Sequence, residues 1–164
     1  MMATSLNLPP SVISPQDIAR LELELLGYAD WFRHNAIKQE MHIQQGTAMP
    51  GLSPESILLL RSAATDGRLS QSSLDALLMS IKQYRNTAPT MTITLAAPAG
   101  NQLRQSLTEW CRRELNPGLL VEFRFNATIL GGMVVRYGSR VFDWSFRRAI
   151  LNKRQGFAEV LRRV

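Results

Sequence analysis

The stretch Gly131-Gly132-Met133-Val134-Val135-Arg136-Tyr137-Gly138-Ser139-Arg140-Val141-Phe142-Asp143-Trp144-Ser145 decides how the second half of this chain folds. The glycine pair breaks the pattern that precedes it. Met133, Val135 and Tyr137 then recur at period two, the spacing of one strand face, and meet Val141 and Phe142 across Gly138-Ser139. A two-residue loop that opens on glycine favours a type II′ hairpin turn, because the first loop position needs φ > 0. Asp143 or Ser145 then caps a final helix in which Phe146, Ile150, Phe157 and Leu161 share a face. Gly156 weakens that helix by roughly 1 kcal/mol relative to alanine, so its last turns are expected to fray or bend.

Upstream of the glycine pair, Leu119, Val121, Phe123 and Phe125 alternate with Leu120, Glu122 and Arg124, a second strand. Asn116-Pro117-Gly118 stops a helix whose apolar positions are Leu103, Leu107, Trp110 and Cys111. Before that helix, Met91, Ile93 and Leu95 alternate with Thr90, Thr92 and Thr94, a strand rich in β-formers that begins after Pro89. A strand, helix and strand joined in this way imply a right-handed parallel crossover.

The first half reads as helices. Ser14-Pro15 is an N-cap followed by N1, and Ile18, Leu21, Leu25, Ala29, Phe32 and Ala36 recur at helical spacing, with Leu23 and Trp31 off that stripe. This helix is expected to run to about Gln45. Ser53-Pro54-Glu55 repeats the capping arrangement for a short second helix ending at Asp66-Gly67, where Gly67 takes a left-handed C′ conformation. A third helix starts at Ser70 and buries Leu74, Leu77, Leu78, Ile81 and Tyr84. The expectation is an α+β protein: a flexible N-terminal tail at 1–13, a small helical bundle at 14–88, and an α/β domain at 89–164 of order β-α-β-β-β-α.

Composition narrows the function. The chain has 164 residues, 45% of them hydrophobic, enough for a real core. No apolar run reaches the ~18–20 residues of a membrane-spanning helix. The N-terminal segment carries no positive charge ahead of its apolar residues, unlike a secretory signal. A single cysteine, Cys111, excludes an internal disulfide and a cysteine-rich zinc site. These features together read as a soluble protein of a reducing compartment. His34 and His42 are eight residues apart, too far around and along a helix to chelate one ion. No nucleophile elbow surrounds a serine, and Gly131-Gly132 lacks the spacing and the lysine-hydroxyl pair of a phosphate loop. Asp143 is a helix cap before it is a general base, and Cys111 is a small core residue before it is a nucleophile. No catalytic residue, metal site or cofactor emerges.

Binding surfaces are better supported. Basic and acidic residues balance over 1–120, so the formal charge of +6 lies within 121–164. Arginine pairs at Arg147-Arg148 and Arg162-Arg163, with Lys153-Arg154 between them, suit an acidic partner. Adjacent helical residues splay by ~100°, so each pair spreads around the helix. On the first helix, Leu23, Tyr28 and Trp31 offer groups for docking a partner helix. The rival reading is a basic nucleic-acid-binding or membrane-surface adaptor, although no recognition-helix or aromatic-platform motif accompanies the charge.

Residues 131–145 resemble the C-terminal signature of the ATP synthase delta subunit family, called oligomycin-sensitivity-conferring protein in mitochondria. Gly131, Gly132, Gly138, Asp143 and Ser145 occupy the signature positions, and Thr65-Asp66-Gly67-Arg68-Leu69-Ser70 is similar to the family's Gly-Arg-Leu segment ahead of the last bundle helix. The resemblance covers residues 65–164. Residues 1–64 carry no counterpart of the family's alanine-rich opening helix and are short for its usual six-helix bundle. The resemblance implies a non-catalytic peripheral-stalk subunit of an F-type ATP synthase, without cofactor. Its N-terminal helices would bind N-terminal segments of the alpha subunits, and its C-terminal domain would hold b-type stalk subunits, with Arg147, Arg148 and Arg154 facing them. It would sit peripherally on the cytoplasmic (or matrix or stroma) face, with no membrane span and no nucleic acid. The five signature residues themselves all shape backbone, so the motif marks a fold.

Overall fold

The computed structural model describes residues 8–42 and 48–153. The chain divides into two compact units, Met1–Ala88 and Pro89–Val164.

The first unit contains α1 (Pro15–Glu40), α2 (Pro54–Ala63) and α3 (Gln71–Thr87). Each starts on a serine. The Ser14 hydroxyl accepts from the Asp17 N–H (3.3 Å), and the Asp17 carboxylate accepts in return from the N–H groups of Ile13 and Ser14 (3.1 and 2.9 Å). Ser53 caps α2 by accepting from the Ser56 N–H, and Ser70 forms a reciprocal capping box with Ser73 on α3. Ile18, Leu21, Leu25 and Ala29 of α1 are buried with Leu59 and Leu60 of α2 and Leu74, Leu77 and Ile81 of α3. Phe32 is only half-buried and Ala36 is exposed, so the stripe outlasts its partners along α1.

Two crosslinks fix the helices to α1. Glu22 pairs with Arg85 of α3. On α2's side, one oxygen of Glu24 accepts from the Ser53 N–H (3.0 Å), the Ser53 hydroxyl and the Ser56 hydroxyl (both 2.6 Å). The segment before α1 packs as well: Val12 is 1% exposed, Ile13 and Ser14 are buried, and the Ser11 hydroxyl donates to Glu55 at 2.8 Å. The loose tail expected at 1–13 therefore has a docked end, and residues 1–7 lie outside the described part.

Two helix ends differ from expectation. α1 stops at Glu40, followed by His42 at φ 57°, a left-handed residue that no glycine announces. α2 ends at Ala63, and Asp66 (φ 51°) and Gly67 (φ 73°) instead form the centre of a tight turn closed by reciprocal bonds between Thr65 and Arg68. Two successive positive φ values make this a hairpin-type turn, so Gly67 is left-handed as expected but not as a helix C′ residue.

The second unit runs β1 (Thr90–Leu95), α4 (Asn101–Glu114), β2 (Leu120–Phe125), a 3₁₀ turn (Ala127–Ile129), β3 (Gly132–Tyr137), β4 (Arg140–Ser145) and α5 (Phe146–Asn152). The whole is an α+β arrangement. The sheet order is β2-β1-β3-β4. β1 pairs parallel to β2, from Thr90↔Leu120 to Leu95↔Phe125, and antiparallel to β3. β3 and β4 form a hairpin with Tyr137 opposite Arg140, and Gly138 alone of the two loop residues has positive φ, as a II′ turn requires.

The registers place Met91, Ile93, Leu95, Val121, Phe123, Phe125, Met133, Val135, Phe142 and Trp144 on one face of the sheet. α4 covers the β1–β2 half of that face: the thiol of the buried Cys111 lies 3.9 Å from the Met91 sulfur. α4 is rotated relative to expectation. Its buried positions are Thr108 and Cys111, while Leu103 and Trp110 are exposed. Thr108 tolerates burial because its hydroxyl donates to the Arg104 carbonyl at 2.8 Å.

Candidate functional site

Leu130, Gly131 and Gly132 take positive φ in succession (63°, 155° and 75°), which reverses the chain into β3. A Cβ on Gly132 would collide with the Trp144 carbonyl oxygen, and one on Gly131 would collide with the Phe146 ring. The Gly131 carbonyl accepts from the Phe146 N–H at 3.0 Å. The glycine pair thus lets the start of α5 lie directly against the start of β3. Ser145 is the N-cap of α5, accepting from the Arg148 N–H at 3.2 Å. Asp143 stands one step back and accepts from the Ser145 N–H at 2.9 Å. Hydrogen bonds from Ser145, then the nearby Arg148 and Arg147 charges, hold the Asp143 carboxyl below its ordinary value. A carboxylate kept ionised and committed to a turn is poorly suited to take up a proton.

Arg147 and Arg148 are exposed on α5, and Arg148 also reaches the Asp143 carbonyl at 3.4 Å. Arg154, with Phe157, Leu161 and the bend expected at Gly156, lies outside the described residues. β4 carries a feature that the sequence did not announce. Phe142 and Trp144 stack on β4 with ring centroids 5.7 Å apart, and they are 43% and 58% exposed. They lie on the apolar sheet face beyond the half that α4 covers. Phe146, Ile150 and Leu151 of α5 are exposed too, and no residue of that helix is buried. Period two puts Phe142 and Trp144 on one face. Whether anything covers that face depends on where α4 lies, which alternation does not encode.

On α1 the three docking candidates part company. Leu23 is 71% exposed, on the side away from the buried stripe. Tyr28 and Trp31 are half-buried, their rings 5.4 Å apart, with Phe32 6.2 Å from Tyr28. Around a helix of ~100° per residue, Leu23 lies nearer Leu26 and Ile37, both exposed, than Tyr28. Among the described residues no three His, Cys, Asp or Glu side chains group as a metal site, and no helix is long and apolar enough to cross a membrane.

The chain matches the ATP synthase delta (OSCP) subunit family over residues 33–155, most of its length and parts of both units. The chain belongs to that family. Two delta subunits show the same kinship. One, ATP synthase subunit delta of Roseiflexus castenholzii, is 29% identical over 105 residues, 61% of this chain and 65% of the relative. The other, ATP synthase subunit delta of Rhodospirillum centenum, is 32% identical over 74 residues, 45% of this chain and 39% of the relative. The chain thus spans less than two thirds of the length of each. The family match reaches upstream to residue 33, within α1, well before the segment at 65–70. It includes Gly131, Gly132, Gly138, Asp143, Ser145, Arg147, Arg148 and Arg154, whereas Leu23, Tyr28 and Trp31 precede it.

Proposed function

We propose that this protein is a non-catalytic subunit of the peripheral stalk of an F-type ATP synthase, holding the catalytic head still against a turning rotor. The observation that carries the reading is the family match, which runs from the helical unit into the sheet unit. A stator needs two grips on two bodies. The helical unit offers two separate faces of α1, one carrying Leu23 and the other the paired Tyr28 and Trp31, as alternative grips for N-terminal segments of alpha subunits. The sheet unit offers the exposed Phe142–Trp144 pair of β4 and the exposed Arg147 and Arg148 of α5, with Arg154 following in the sequence, for an acidic b-type helix. Apolar anchors supply affinity, and the arginines supply orientation and encounter rate. The protein then works peripherally, on the membrane face that carries the catalytic head.

The test is a bridging assay. A soluble b segment should co-sediment with catalytic heads only when the chain is added. Equal sedimentation without the chain, or none with it, would defeat the reading.

A further inference from the structure

α1 carries a second apolar stripe that the helical unit does not use. Leu23, Leu26, Ile37 and Met41 are 71%, 40%, 54% and 66% exposed, and the Met41 N–H still bonds to the Ile37 carbonyl, so the helical path reaches it. Together with Asp30 and Arg33 they fall within about 80° of one another around a helix of ~100° per residue. That face lies roughly a third of a turn from the buried Ile18, Leu21, Leu25 and Ala29. Leu23, Leu26, Asp30, Arg33 and Ile37 follow one another at alternating steps of three and four residues, the a and d spacing of a coiled coil. Among the described residues of α1, Ala29 is the last that is buried, so residues 30–40 lie outside the core. A helical segment of about three turns is marginal in water without packing.

The stripe has the same character read from either end. Asp30 and Arg33 stand at its middle, Leu26 and Ile37 flank them, and Leu23 and Met41 lie beyond. Laid antiparallel on itself about a two-fold axis at the level of residues 31 and 32, it sets Leu26 against Ile37 of the second copy, Leu23 beside Met41, and Asp30 opposite Arg33. Within one chain the Arg33 Nη2 already holds the Asp30 Oδ1 at 3.0 Å, and both side chains are exposed. Two such pairs meeting antiparallel alternate in sign. A parallel arrangement would bring Asp30 against Asp30 and Arg33 against Arg33, which repel.

We propose that this face of α1 docks a second copy of the chain in an antiparallel two-helix seam. Self-complementarity of both the apolar and the charged positions selects a second copy over an unrelated helix. One helix face per copy buries about 1,000 Å² in all, the scale of a weak and reversible association. The proposal does not rest on the stalk reading: it assigns the Leu23 face of α1 and leaves the Tyr28–Trp31 side to that reading.

The test is sedimentation velocity of the full chain over concentrations from about 1 to 200 µM. The average mass should rise with concentration toward twice that of the monomer. Leu26→Asp with Ile37→Asp should raise the dissociation constant at least about tenfold. Asp30→Arg and Arg33→Asp, both at exposed positions, should each weaken self-association by about tenfold, because like charges then meet. An equimolar mixture of these two single variants should recover the dimer, since each position 30 again faces its opposite at position 33. A chain that stays monomeric throughout, a dimer that Leu26→Asp with Ile37→Asp leaves intact, or a mixture no more associated than its separate components would overturn the proposal.

Discussion

The carbonyl oxygen of Trp144 fills the space that a Cβ on Gly132 would need, and Gly132 turns beneath it at φ 75°. The obstruction is backbone, so no rotamer change relieves it, and the positive φ strains any other residue. Gly132→Ala should therefore lose roughly 2–4 kcal/mol of unfolding free energy in urea. Gly27 lies inside α1, and a Cβ added there would meet nothing within 4 Å, so Gly27→Ala should gain about 0.5–1 kcal/mol in the same assay.

Glu24, together with Glu55, contributes to the acid limit of the helical unit. Partial burial pushes its pKa up, but the hydrogen bonds from Ser53 and Ser56, helped by Arg20, outweigh that and hold it below the ordinary value of 4.5. A lowered carboxyl stabilises the fold fully above its unfolded pKa and stops doing so as pH falls through the folded one. Circular-dichroism melts should show stability flat at neutral pH and declining below about pH 4.5. Glu24→Gln should cost about 1–2 kcal/mol at pH 7 and flatten that part of the acid decline. An acid limb unchanged in Glu24→Gln would remove this account.

Much of this architecture is legible in the chain itself. Ser53 and Ser70 announce their helices because capping is local chemistry, and Gly138 announces its turn because few other residues take that φ. Tertiary choices are less visible. The α4 pattern nominates Trp110 for the core, yet Thr108 is inside, since its hydroxyl finds a carbonyl on its own helix. The bond from Ser53 to Glu24 joins residues 29 positions apart, and no periodicity reports it. His42 ends α1 without any of the usual stop residues.

The stacked pair on β4 separates folding from docking. Phe142→Ser with Trp144→Ser removes partly exposed rings, so the unfolding free energy should fall by only about 1–2 kcal/mol and the protein should stay folded. Affinity for a soluble b segment should drop by at least about tenfold, as expected for the loss of aromatic anchors. Pull-down titration checks this, and unchanged affinity would take β4 out of the interface. Charge reversal at Arg147 and Arg148 should weaken the same binding more at low salt than at high salt.

Ser145 and Asp143 divide one task. Ser145→Ala removes the cap of α5 and should cost about 1 kcal/mol, read as faster amide exchange from Arg147 to Ala149. Asp143→Asn keeps an acceptor for the Ser145 N–H and should leave that exchange nearly unchanged.

Cys111 has a practical consequence. Its thiol is sealed between α4 and Met91, and burial raises its pKa above the ordinary value, so little thiolate forms at neutral pH. Maleimide reagents should pass over the native protein and react with it only after denaturation. A new cysteine on any exposed position then becomes the single attachment point for a fluorophore or a crosslinker, with no need to engineer away the one nature left inside.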